Sequence, residues 1–238
     1  MPTAATPAGD APLLAGVELG GTKCICILGR SPEEVLDRRV MPTKSPSETM
    51  AAIKAVLDGW RFAALGIASF GPLDLERGMI GATPKPGWSG TDLRTLSGQD
   101  ALPYVVDTDV NGAALAEGLR GGAQGLSSWA YITVGTGVGT IIGGRPISGL
   151  GHSEAGHMRV PRGGDDWPGV CPFHGDCVEG IASGPAIAAR TGLCAADVPS
   201  GHEAWQHVAD ALAGLCHNLL LTVLPQRILV GGGVAGGQ

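Results

Sequence analysis

With 238 residues, 44% of them hydrophobic, the chain can bury a substantial core and is long enough for one large domain or two small ones. A net charge of −6 and the lack of any lysine or arginine run argue against nucleic acid or an anionic membrane as the main partner. No apolar run reaches membrane-spanning length, and MPTAATPAGD lacks the basic and apolar regions of a signal peptide. Residues 1–12 are therefore expected to form a disordered lead-in, and the setting is expected to be cytoplasmic.

In chain order, LLAGVELGG and KCICILG are β-prone runs joined by Gly20-Gly21-Thr22, a hairpin with a glycine turn. Cys24 and Cys26 alternate with Ile25 and Ile27 and read as buried core thiols. EEVLDRRVMP supplies a third strand. SPSETMAAIKAVLDGW predicts a helix, with Ser at its start, Glu48 in its first turn and apolar residues at helical spacing. AALGIASF returns as a strand ending at Gly71-Pro72, and TPKPGWSGTDL reads as a loop over a cleft, with Trp88 either covering a ligand or lying exposed on its own loop. PYVVDTD is a strand and VNGAALAEGLRGG a helix stopped by Gly121-Gly122. WAYITVGTGVGTIIGG repeats the opening pattern of strand, glycine turn and strand. The tract from Pro161 to Gly180 is irregular, SGPAIAARTG a short helix, and HEAWQHVADALAGLCHNLLLTVL a long one stopped by Pro225. RILVGGGVAGGQ is a buried strand entering another glycine turn. The two echoing hairpins organise the chain, because each turn presents backbone N–H groups able to cradle an anion, and two such turns facing each other would grip the phosphates of one nucleotide.

The densest chemistry lies in CPFHGDC. Cys171, His174 and Cys177 follow at three-residue steps, with His157 upstream, and two thiolates plus two imidazoles make a closed tetrahedral zinc set. The bland alternative, a core cysteine pair with incidental histidines, is disfavoured because Pro172, Gly175 and Asp176 mark a loop. Four protein ligands leave no open position, so such a zinc would be structural. Glu154 and Glu179 flank the loop, and a metal that fixes it would fix them too. His152, His202, His207 and His217 have no partner by spacing, the last three being placed on the long helix. Cys194 and Cys216 have none either.

In this order and spacing, GVELGGTK, DTDVNGAALAE, VGTGVG, GHSEAGH, CPFHGDCVEGIASG and ILVGGGV resemble the ROK sugar kinases of the hexokinase/actin-like ATPase superfamily, and the histidine within CPFHGDC resembles their bacterial fructokinase branch. The resemblance covers essentially the whole chain after Leu13. It implies two ribonuclease-H-like α/β domains, residues 13–108 and 109–238, with ATP and sugar in a cleft between them, and a homodimer. It implies Asp109 as general base; on local sequence alone, helix capping is the better account of that residue. Asn111, Glu154, His157, Glu179, Gly71 and Pro72 would hold the sugar, with Asp107 structural. Glu18 would stand near the Mg2+–phosphate group. Gly20, Gly21, Thr22 and Lys23 would form one phosphate loop and Gly135, Thr136, Gly137 and Gly139 the other. Neither has Walker A spacing. Gly231, Gly232 and Gly233 would open the adenosine site. In the family more chain follows that motif, so the 109–238 domain is expected to be incomplete at its end.

The function these readings imply is ATP-dependent phosphorylation of D-fructose at its 6-hydroxyl, with Mg2+ and a structural zinc. Three rivals stand beside it: a glucose or mannose kinase of the same family, a non-catalytic sugar-binding regulator, and, more weakly, a zinc hydrolase.

Overall fold

The computed structural model describes residues 11–98, 102–134 and 137–236. Most of the proposed lead-in lies outside them, as do Gly135 and Thr136 of the second glycine turn. The chain divides into two compact units, Met1–Asp109 and Val110–Gln238.

The first unit holds β1 (Leu14–Leu19), β2 (Lys23–Ser31), β3 (Glu34–Pro42), α1 (Pro46–Asp58), β4 (Ala64–Ser69), a short hairpin of β5 (Leu73–Asp74) and β6 (Met79–Ile80), and β7 (Tyr104–Thr108). Its sheet runs β3-β2-β1-β4-β7, with β1 antiparallel to β2 and parallel to β4, and β4 parallel to β7. The period-2 pattern works as read: Ala15, Val17, Leu19, Cys24 and Cys26 all face the core. Burial pushes the Cys26 thiol up to about 11, so it behaves as a small hydrophobe. Helix α1 starts on Ser45, whose hydroxyl accepts the N–H of Glu48, and it buries Ile53 and Leu57, worth about 1.5–3 kcal/mol each.

Trp88 differs from both expectations. It is 1% exposed, stacks edge-on against Phe70 at 5.2 Å and donates its indole N–H to the Lys44 carbonyl at 3.2 Å. It anchors the TPKPGW segment instead of covering a ligand.

The second unit contains α2 (Asp109–Arg120, entered from Asp109), β8 (Ser128–Thr133), β9 (Gly137–Ile142), β10 (Arg145–Pro146), α3 (Val178–Ala182), α4 (Gly184–Thr191), α5 (Ala204–Thr222), β11 (Arg227–Gly231) and the short α6 (Gly233–Gly236). Its sheet runs β10-β9-β8-β11, with the hairpins antiparallel and β11 parallel to β8. Order and direction repeat β3-β2-β1-β4 of the first unit, so the sequence echo is also a structural one. A core of Ile132, Val138, Ile181, Ile187, Leu215 and their neighbours packs α3, α4 and α5 onto this sheet. His202 precedes α5 instead of lying on it, its ring accepting the Ala204 N–H at 3.1 Å. Among the described residues no helix is long and apolar enough to cross a membrane.

Candidate active site

Parallel strands β1, β4 and β7 end level with one another: Leu19 pairs with Ser69, and Ser69 with Thr108. The residues that follow therefore emerge at one edge of the sheet. They are the Gly20–Lys23 turn after β1, Gly71-Pro72 after β4, where the peptide bond is cis, and Asp109 after β7. The carboxyl ends of parallel strands are where open α/β sheets bind ligands.

The first glycine turn is held from behind by its carbonyls. Thr43 donates its hydroxyl to Gly20 O at 2.7 Å and its N–H to Thr22 O at 2.9 Å, while the Lys85 ammonium donates to Gly21 O. The N–H groups of Gly21 and Thr22 have no hydrogen-bond partner among the described residues, which is the arrangement an anion needs. A Cβ on Gly20 would stand 2.8 Å from the Lys23 carbonyl, so this turn requires glycine. Glu18 is exposed, on an interior strand of the sheet.

Asp109 is the first residue of α2, one position earlier than the sequence reading placed the helix start. Asn111, on the first turn, is 3% exposed. Asp107 accepts the Thr108 N–H at 2.7 Å. The second hairpin sets the position of α2: a Cβ on Gly139 would lie 2.5 Å from the Val110 carbonyl and 3.0 Å from Ala114 Cβ, and one on Gly137 3.1 Å from Val110. Only bare backbone allows the helix this close. Gly139→Ala is expected to lower stability by about 1–3 kcal/mol, read as a shift of the urea midpoint at unchanged m-value. At the carboxyl ends of β8 and β11 the Val134 N–H donates to Gly231 O at 2.9 Å, bringing the Gly231-Gly232-Gly233 segment beside the end of β8.

The four side chains singled out in the loop do come together. Ligand atoms of His157, Cys171, His174 and Cys177 lie within 4.8 Å of one another. His157 Nδ1 is 3.5 Å from Cys177 Sγ and 3.7 Å from Cys171 Sγ, and His174 Nδ1 is 3.7 Å from Cys171 Sγ. A zinc with bonds of about 2.3 Å to sulfur and 2.0–2.1 Å to nitrogen sets an N···S edge of about 3.6 Å. The donor set thus fits a tetrahedral zinc ion in both chemistry and spacing. Burial pushes the Cys177 thiol up to about 11, a preference that a coordinated cation reverses.

His157 presents its other nitrogen to the carboxylates, with Nε2 3.8 Å from Glu154 and 3.6 Å from Glu179. Burial holds this imidazole below its ordinary range, with Glu154 opposing and His174 adding to the effect. Burial, reinforced by Glu154, pushes Glu179 up to about 7. A neutral imidazole between two acidic groups offers a donor and several acceptors to vicinal hydroxyls. His152, which had no partner by spacing, lies 3.4 Å from Glu154.

Three participants were missed in the sequence: Thr43 and Lys85 behind the first turn, and Asp165 just before the Cys171–Cys177 loop. Lys85 sits within TPKPGW, so its motif was seen but not its target.

A sheet order repeated in two units, with glycine turns at the strand ends, is the pattern of the actin- and hexokinase-like ATPases. The chain belongs to the ROK family, whose model matches residues 14–237. It is 42% identical to the fructokinase of Zymomonas mobilis over 94% of this chain and 81% of that one, and 41% identical to the fructokinase of Pediococcus pentosaceus over 93% and 80%. Among solved structures, the ROK hexokinase from Thermus thermophilus superposes with a TM-score of 0.74 at 28% identity, covering 94% of this chain and 82% of that one. The fold class expected from sequence is therefore the observed one.

Proposed function

We propose that the protein is an ATP-dependent fructokinase that forms fructose 6-phosphate. What carries the reading is the common edge of β1, β4 and β7, which delivers a glycine turn whose Gly21 and Thr22 N–H groups are unpaired among the described residues, Gly71-Pro72 and Asp109 from three adjacent strand ends, in a chain more than 40% identical to two fructokinases.

In this reading Asp109 accepts the proton of the 6-hydroxyl as that oxygen bonds to the γ-phosphorus of ATP. The bond from that phosphorus to the β–γ bridging oxygen breaks, and ADP leaves. Asn111, Glu154, His157, Glu179, Gly71 and Pro72 hold and orient the sugar. Gly20, Gly21, Thr22 and Lys23 bind phosphate, together with Gly135, Thr136, Gly137 and Gly139. Gly231, Gly232 and Gly233 take the adenosine end, and Glu18 stands by the magnesium. Magnesium supplies charge neutralisation on the phosphates, and zinc, held by His157, Cys171, His174 and Cys177, supplies rigidity. We also read the protein as a cytoplasmic homodimer.

A coupled ADP-release assay over fructose, glucose and mannose tests this. Fructose is expected to exceed the other hexoses in kcat/KM by about tenfold or more, the order that one well-placed polar contact can supply. A higher kcat/KM for glucose or mannose favours the kinase alternative, and sugar binding without ADP favours the regulator.

A further inference from the structure

Asp165, which the proposed chemistry does not use, gathers several partners around one carboxylate. Its side chain is 9% exposed and accepts Arg162 Nη2 at 2.8 Å, Arg190 Nη2 at 2.7 Å and the Trp167 N–H at 3.2 Å, with His207 Nδ1 at 3.5 Å. Arg190 comes from α4 and His207 from α5, and the Arg190 guanidinium stacks 4.4 Å over the Trp167 ring.

Arg162 does not stop at Asp165. Nη2 also donates to the Trp167 carbonyl at 2.5 Å, and Nη1 to Asp176 at 3.4 Å. Asp165 precedes the Cys171–Cys177 loop and Asp176 lies inside its far end, so one guanidinium spans the base of the loop. The backbone there is tight: Val170 N–H donates to Gly180 O at 3.0 Å, and a Cβ on Gly169 would stand 2.3 Å from Gly175 O. Burial works to raise the Asp165 carboxyl, but the bonds from Arg190 and Arg162 outweigh it and hold the group far below the usual carboxylate range. It is a fixed anion, and planar forks bonded to such an anion are rigid.

We propose that Asp165 and Arg162 are positioning residues for the metal loop. Asp165 is pinned to α4 by Arg190, and Arg162 transmits that constraint to Asp176, setting where Cys177 and, two residues on, Glu179 stand. The inference rests on reading His157, Cys171, His174 and Cys177 as zinc ligands and Glu179 as a sugar ligand. Groups that orient a metal's ligands without touching the metal typically change its affinity by about 10–100-fold.

The test uses the zinc-loaded protein: wild type, Asp165→Asn, Arg162→Met, Arg162→Lys and, as control, Arg159→Met. Arg159 also reaches Asp176, at 3.3 Å, and the His174 carbonyl, at 3.5 Å, but its side chain is 74% exposed, so solvent screens both contacts. Three quantities are read: zinc release to a chromogenic chelator well below the melting temperature, KM for fructose, and KM for ATP. Asp165→Asn and Arg162→Met are expected to release zinc about tenfold faster or more and to raise the fructose KM by a similar factor, with the ATP KM within about twofold. Arg162→Lys, with one charge and no fork, is expected to fall between, and Arg159→Met to match wild type. If the melting temperature falls while zinc release and fructose KM stay at wild-type values, Asp165 is a structural ion pair only and the proposal is overturned. Should Asp165→Asn fail to fold, Arg162→Lys decides by the same readouts. A wild type that holds no zinc overturns both the metal reading and this inference. A zinc-bearing wild type that fails to phosphorylate fructose overturns the fructokinase reading alone, and the release rates still decide.

Discussion

Asp109→Asn is expected to reduce kcat for fructose by about 10²–10⁴-fold, the range that a positioned general base supplies. The change keeps shape, since asparagine serves at a helix start as well as aspartate does. Its stability cost includes the lost interaction of the carboxylate with the amino end of α2, about 0.3–1 kcal/mol. The helix itself is placed by other contacts, those of Val110 and Ala114 against Gly137 and Gly139, which the substitution leaves alone. Folding and catalysis are thereby separable at this residue. The measurement is steady-state kinetics beside a urea titration. A large loss of kcat with the midpoint nearly unmoved assigns the base. A variant with full turnover and a shifted midpoint would return Asp109 to the capping role that its local sequence favours. Loss through KM alone would make it a sugar ligand.

The parts of the fold that were legible are those in which one short-range signal dominates. The hairpin of β1 and β2 and its echo in β8 and β9 combine alternating hydrophobicity with a glycine turn, and α5 carries helical periodicity over its whole length. Elements too short to complete a period were not foreseen: the β5–β6 hairpin, the single turn at Leu93–Ser97, and α3 at the end of a tract read as irregular. Trp88 was misjudged because its glycine- and proline-rich surroundings signal a loop, whereas its burial comes from Phe70 and Lys44, distant in sequence.

The same division runs through the candidate site. Cys171, His174 and Cys177 are near neighbours in sequence, so only His157 had to be matched over a distance, and the convergence of all four could be anticipated. The Asp165 hub could not, because Arg190 and His207 reach it from two helices with no spacing rule linking them. Nor could the tie from Lys85 to Gly21, which depends on how a loop folds back. Long-range polar contacts leave no periodic trace. They emerge only once packing has decided which surfaces meet.

Removing the proposed zinc is expected to have the second large effect. Cys177 is 0% exposed and also accepts the Gly180 N–H at 3.4 Å, so it closes the loop and caps α3 in one residue. Cys177→Ser keeps the size and a hydrogen-bond acceptor for that cap but replaces a good zinc ligand with a poor one. The variant, like wild-type protein stripped by a chelator, is expected to carry zinc well below one ion per chain by metal analysis. Its fructose KM should rise by about tenfold or more as Glu154, His157 and Glu179 lose their common reference. Most of the core, including Ile132 on β8, Ile187 on α4 and Leu215 on α5, lies outside the loop and α3, so far-ultraviolet circular dichroism should stay close to that of the parent. The first glycine turn, proposed to bind ATP, is held by Thr43 and Lys85, which owe nothing to the metal, so the ATP KM should hold. A split between the two substrates therefore separates a zinc that organises the sugar site from one that merely keeps the chain folded. Equal losses on both sides would indicate general unfolding, and zinc-free protein with an unchanged fructose KM would remove the metal from the account of binding.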